Sequence, residues 1–359
     1  MIMKTAVHEA FLYLLRQGLW GSSGKETGVT LTEKEWKALQ RMAMVQTVQG
    51  IIYDGILTLP EEQRPSAVFL SQWAAQVKEM EGRNRRQQVQ LIQLRYFFET
   101  EHGLHFCLLK GQTVARHYRN PMHRYCGDLD LWFGNKEEVE KANRLIEANG
   151  IEVMRGADGD GQYCWGGTPV ENKSRLVDLR NPLKQKRLKA WEKEVFEDSG
   201  EEPMPEANLL LQITHILKHY VNGGGLGFRH LCDLAVSFRA LEYDAERLIV
   251  LCKEYGVYRW ADMLASLIHQ VLEVPKDDLP FPCKENPAPL LDEMWISGNF
   301  GIGDTRFGEH PSGRWGSKFY TARKVWHKAR TFSRVAPGEC VWNFMSMVGN
   351  NIVTLFKKN

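Results

Sequence analysis

Residues 105–133 read HFCLLKGQTVARHYRNPMHRYCGDLDLWF, and this stretch decides the fold. HFCLLK is a short β-rich run that stops at Gly111, and a helical segment follows through Tyr118. A Pro-containing loop, RNPMHRYCG, leads into DLDLWF, whose polar and apolar side chains alternate as on a half-buried strand. On such a strand Asp128 and Asp130 leave the same face, while Leu129 and Leu131 turn to a core. Two neighbouring carboxylates repel unless a cation joins them, and hard oxygen ligands suit Mg²⁺ (or Mn²⁺).

Working outward, Asn135 caps a helix over 136–148, with Gly150 as its stop. IEVMR (151–155) and SRLVDLR (174–180) read as further strands, and the glycine-rich 156–167 between them reads as a turn or loop. Asp178 lies between Val177 and Leu179 on the second of these strands, so it is expected as a third carboxylate completing a two-metal clamp. Glu171 is its rival for that place. Lys110-Gly111 stands at a strand end before a helix N-terminus, where glycine lets backbone N–H groups approach a phosphate. Residues 104–182 thus form an α/β core.

The flanks are helical. In 1–103 apolar residues recur at helical spacing, Thr32 and Glu35 form a capping box, and a helix from Ser66 to near Gly103 carries the basic stretch Arg83–Arg86. In 183–359, NLLLQITHILKHY and FRHLCDLAVSFRAL are amphipathic, 274–313 reads as irregular, and two helices over 317–334 and 339–357 close the chain. The fold class expected is α+β, a small sheet core between two helical regions.

The composition is that of an ordinary folded protein: 43% hydrophobic and 25% charged, with a net charge of +2 that by itself implies no polyanionic partner. Seven cysteines without a CxxC pair point to reduced thiols in a cytoplasmic setting, and make a thiolate zinc site unexpected. No stretch reaches the 18 apolar residues of a membrane span, and the N-terminus reads as an amphipathic helix rather than a signal peptide.

The spaced set Leu109, Lys110, Gly111, Tyr118, Pro121, Arg124, Asp128 and Asp130 resembles the signature of the bacterial uncharacterised nucleotidyltransferase family within the polymerase-β-like superfamily. The match is strong over 105–133. It weakens over 136–180 and into the helices bearing His215, His219, Arg229 and Asp233. The resemblance implies a small mixed sheet with flanking helices, moving a nucleoside monophosphate from an NTP to an unidentified acceptor. Asp128, Asp130 and Asp178 would be the metal ligands, and Lys110 and Arg124 would neutralise the triphosphate. Where the superfamily has Gly-Ser or Gly-Gly at the turn, this chain has Gly111-Gln112, with Thr113 as the hydroxyl within reach. Arg180 stands where the family often has a His after the third carboxylate.

Other features admit two readings. His215 and His219 are four apart and share a helix face, which suits either a metal, with Asp233 nearby in sequence, or hydrogen-bonded packing. Residues 314–334 interleave seven basic residues with five aromatic ones and no acid, which fits a nucleic-acid acceptor or an amphipathic helix with its rings in the core. The last helix ends in Lys357-Lys358 and is expected to pack in the core or against another copy. The alternatives to an enzyme are a nucleotide- or partner-binding module on the same fold, or a nucleic-acid-binding helical protein.

Overall fold

The computed structural model describes residues 5–356 apart from 22–27, 157, 223, 302–303, 309–310 and 312; side chains are not described for Phe300, Arg314, Trp315, Lys318 or 347–356. Lys357-Lys358 and those side chains of the basic segment and last helix therefore lie outside the described residues. Helices α1 (Ala6–Trp20), α2 (Glu33–Val45), α3 (Gln49–Leu57) and α4 (Ala67–Arg95) come first. The capping box of α2 is formed: Thr32 N donates to Glu35 Oε2 (2.8 Å) and Glu35 N to Thr32 Oγ1 (3.4 Å). α4 continues as a π-helical turn, Tyr96–Glu101, and so ends near Gly103 as the sequence predicts.

The sheet then builds in the order β1-β2-β5-β4-β3. Its strands are β1 (Cys107–Leu108), β2 (Leu129–Trp132), β3 (Met154–Arg155), β4 (Gly161–Trp165) and β5 (Thr168–Lys173), with one-turn helix α5 (Gln112–Ala115) after β1 and α6 (Lys136–Ala148) after β2. β2 and β5 run parallel, and the other pairs antiparallel, so the sheet is mixed. Asn135 caps α6, accepting from Glu138 N at 2.9 Å.

Two expectations are corrected here. The 156–167 stretch is not simply a loop, because β4 lies within it and turns into β5 through Gly166-Gly167, both at positive φ (53° and 85°). A two-residue loop with φ > 0 at both positions matches the twist of the flanking strands, and glycine adopts that conformation freely. SRLVDLR, conversely, is not a strand: Ser174–Arg180 is irregular. Its apolar residues Leu176, Val177 and Leu179 are buried in the core, so alternation there reports burial without sheet pairing. The main chain is held by side chains instead, with Val177 N donating to Glu192 (2.7 Å) and Leu179 N to Gln185 (2.7 Å).

The C-terminal helices are α7 (Pro182–Asp198), α8 (Pro205–Val221), α9 (Phe228–Ala240), α10 (Ala245–Glu254), α11 (Tyr258–Leu272), α12 (Ala288–Ser297), α13 (Arg314–Phe332) and α14 (Pro337–Phe356). α12 falls inside the span read as irregular. One apolar core joins residues of α1–α4 to those of α7–α14, so the two helical regions are a single packed body around the sheet. A second core lies on the other sheet face, where Leu129, Leu131 and Phe133 meet Phe98, Val139, Ala142 and Ile146. Alternation along β2 thus sends leucines one way and Asp130 and Trp132 toward the helical body. Among the described residues no helix is long and apolar enough to cross a membrane.

Candidate active site

Loop 120–127 delivers the acids, and α4 holds that loop. Asn84 Nδ2 donates to the carbonyls of Met122 (2.8 Å) and Arg124 (2.9 Å); Arg83 and Gln87 donate to that of Gly127 (3.0 and 2.7 Å). Arg83 also donates to Tyr125 Oη at 2.6 Å. The basic stretch of α4 is partly a clamp on the site's approach loop.

Asp128 stands exposed just before β2, and Asp130 lies within it at 2% exposure. In the parallel register Asp130 is level with Glu171 of β5. Carboxylate oxygens of Asp128, Asp130 and Glu171 all lie within 4.8 Å of one another. Asp130 is not open to solvent as the sequence suggested, because lysines cover it. Lys110 Nζ donates to Asp130 Oδ2, and Lys173 Nζ lies 3.3 Å from Oδ1 and 2.8 Å from Glu171. Burial alone would raise the Asp130 carboxyl, but the Lys110 and Lys173 charges pull it down to about 2. Burial likewise opposes charge on Lys173, and Asp130 and Glu171 override it and raise its pKa. Three acids and two cations converge, an arrangement whose oxygen donors fit a hard divalent cation.

Asp178 does not belong to this trio of carboxylates. It pairs with Lys218 (2.7 Å) and, at 3.7 Å, Arg175, and these cations outweigh burial to hold it below the usual carboxylate range. It shares a small neighbouring cavity of about 70 Å³ with Lys110, Glu171 and Lys173. Glu171, the rival in the sequence reading, occupies the third place because β5 rather than 174–180 is β2's neighbour.

Gly111 has φ +75° at the start of α5, a conformation that favours glycine. α5 itself is a single turn. Gln112 donates to Gln87 at 3.0 Å, and Thr113 is buried with no hydrogen-bond partner for its hydroxyl. Arg124, 4% exposed, forks onto Asp233 of α9, Nε to Oδ1 (3.0 Å) and Nη2 to Oδ2 (2.6 Å), and Tyr118 donates to the same carboxylate at 2.7 Å. It braces the approach loop against α9 while lining the same cavity as Lys110, Gly111, Asp128 and Asp130, whereas Thr113 is buried. Arg180 binds Asn222 (3.0 Å), away from the carboxylates.

Two spaces open from the acids. One, about 40 Å³, lies between Lys110, Gly111, Asp128 and Asp130 on the sheet side and Gln212, His215, Arg229 and His230 on α8 and α9. The other is a groove of about 590 Å³ along β3 and β4, with Asp128 and Glu171 at one end and Ile151, Met154 and Tyr163 along it. Sequence reasoning did not single out Lys173 or His230, since neither belongs to a local spacing. In the basic segment, Lys328 (1% exposed) points inward, donating to Gly224 O and lying 4.7 Å from the Tyr220 ring. Burial lowers its pKa to about 8. Phe332 is buried, whereas Phe319 and Trp326 are exposed.

A small mixed sheet thus presents three clustered carboxylates beside two lysines. The chain belongs to the uncharacterised nucleotidyltransferase family, whose model matches residues 32–273, about two thirds of its length. No curated protein and no solved structure matches it.

Proposed function

We propose that the chain is a metal-dependent nucleotidyltransferase of the polymerase-β-like type, moving a nucleoside monophosphate from an NTP to an acceptor hydroxyl. The observation that carries this reading is the convergence of Asp128, Asp130 and Glu171 on one sheet face, in a member of a nucleotidyltransferase family. These three would hold Mg²⁺ (or Mn²⁺), which supplies charge neutralisation at the attacking and leaving oxygens. Lys110 and Lys173 balance Asp130 without nucleotide and are the cations nearest to the acids for the triphosphate. The nucleoside would lie in the β3–β4 groove, which has the volume for it, whereas the 40 Å³ cavity does not. The acceptor oxygen attacks the α-phosphorus, pyrophosphate leaves, and a carboxylate of the trio takes the hydroxyl proton. Asp178, paired with Lys218 and Arg175, would orient cations near the triphosphate rather than complete the trio.

A second reading has its own support. Arg124 is tied to Asp233, and Thr113 is buried, so the grip on the triphosphate rests on few groups. A nucleotide-binding module without turnover would have this look.

The test is thermal unfolding with each NTP, with and without Mg²⁺, on the wild type and Asp128→Asn/Asp130→Asn, after ligand-free melts of both. A ligand bound only by the native state stabilises it by RT ln(1+[L]/Kd), about 2.7 kcal/mol at a hundredfold excess over Kd. Stabilisation of the wild type alone, by one NTP and only with Mg²⁺, is the expected result. An absence of any shift sinks the proposal. A shift without pyrophosphate release, across a panel of hydroxyl acceptors, favours the second reading.

A further inference from the structure

Three imidazoles cluster at the helical side of the small cavity, which His215 and His230 line. His215 and His219, one turn apart on α8, meet edge to face with centroids 4.3 Å apart and Nε2 atoms separated by 3.0 Å. His230 on α9 completes the group, its ring 5.6 Å from that of His219 and 6.1 Å from that of His215. One nitrogen from each ring lies within 4.8 Å of the other two. His230 is 6% exposed, and its buried Nδ1 has no hydrogen-bond partner. The Tyr118–Arg124–Asp233 brace sits one turn further along α9 and fixes that helix against the sheet.

We propose that His215, His219 and His230 form a second metal site, for a transition-metal ion of the zinc class, chemically distinct from the carboxylate trio. The donor sets separate the two sites. Three nitrogens suit borderline ions, whereas the carboxylate oxygens suit Mg²⁺. Two histidines at i and i+4 on one helix with a third from a neighbour make a three-ligand set, which leaves a fourth position for water or an anionic group. Three cations, Lys110, Arg124 and Arg229, line the same cavity and oppose a dication. Two of them are already matched, however, Lys110 by Asp130 and Arg124 by Asp233. Hydrogen-bonded packing explains the His215–His219 contact alone; it leaves His230 and its unpartnered nitrogen unexplained. The proposal stands whether or not the carboxylates catalyse transfer. The shared cavity places the ion beside them, where it would also fix the distance between α8, α9 and the sheet.

The probe is Zn²⁺ itself, on the full chain without a polyhistidine tag. Metal content after dialysis and competition with a chromogenic chelator give stoichiometry and affinity, and Co²⁺ substitution reports the ligand field of the wild type without any mutation. One equivalent per chain is expected, with the intense visible bands of four-coordinate Co²⁺. His219→Gln, at the least buried of the three, should weaken Zn²⁺ by at least about 100-fold, since loss of even an outer partner costs 10–100-fold. Circular dichroism checks its fold, and Asp128→Asn/Asp130→Asn should bind Zn²⁺ as the wild type does. A wild type that holds no Zn²⁺, or a folded His219→Gln that holds it equally, overturns the site. So does a loss of Zn²⁺ confined to the aspartate variant, which would assign the ion to the carboxylates.

Discussion

Removing one partner of the Arg124–Asp233 pair should cost far more than removing both. The pair is bidentate and nearly dry, with Arg124 4% and Asp233 8% exposed. Breaking such a pair leaves an uncompensated buried charge, on the order of 3–5 kcal/mol, whereas an uncharged replacement of both is often nearly neutral. Asp233→Asn strands the guanidinium beside Arg229, a second cation that already lowers the Asp233 pKa after Arg124, and belongs at the top of that range. Arg124→Met leaves Asp233 with the Tyr118 hydroxyl and Arg229, and belongs at the bottom. The double variant strands neither charge and should cost much less than either single, a coupling of more than about 3 kcal/mol. Unfolding entropy of about 2 cal/mol/K per residue makes 1 kcal/mol worth about 1.4 °C in a chain this long, so Asp233→Asn should melt roughly 7 °C low. Because the Asp233 pKa is lowered, its stabilisation is fully present at pH 7 and is lost only as pH falls through the folded value. Urea unfolding of the four proteins at pH 7 closes the cycle. Additive single-variant costs would refute the claim that Arg124 is a brace, and would return it to the cations available for substrate.

His123 bridges Asp54 (2.8 Å) and Glu81 (3.0 Å); burial opposes its charge, but the two acids raise its pKa above 6.5. Its stabilisation is therefore complete below about 6.5 and lost as pH rises through the folded value, so urea midpoints should fall across that window in the wild type and stay flat in His123→Gln. Gly55→Ala inverts a rule: alanine normally stabilises a helix by about 1 kcal/mol, but a methyl there would overlap the Leu14 carbonyl where α3 crosses α1. A loss of about 1–3 kcal/mol in thermal unfolding is expected, and any gain would mean that the helices are not so closely apposed.

Much of the site was legible because its key signals are local. Period-two alternation in DLDLWF located β2 and set Asp128 and Asp130 apart from Leu129 and Leu131. Thr32, Ser66 and Asn135 mark helix starts through caps that need only three or four residues. What escaped depends on pairing across the chain. The Gly166-Gly167 turn was visible, but Pro169 weakens TPVENK as a strand; it lies one residue before the β2 pairing begins, so no hydrogen-bond donor is missed there. With β5 unrecognised, Asp178 was preferred to Glu171. His230 joins His215 and His219 only through the packing of α8 on α9, and Lys173 reaches Asp130 only through β2–β5 register.

Mn²⁺ binding followed by electron paramagnetic resonance, in the presence of a non-hydrolysable NTP analogue, tests the carboxylate trio most directly. The account predicts nucleotide-dependent capture of Mn²⁺ by the wild type and by Asp178→Asn, and its loss in Asp128→Asn and in Glu171→Gln. Capture that survives in Glu171→Gln and disappears in Asp178→Asn would contradict it.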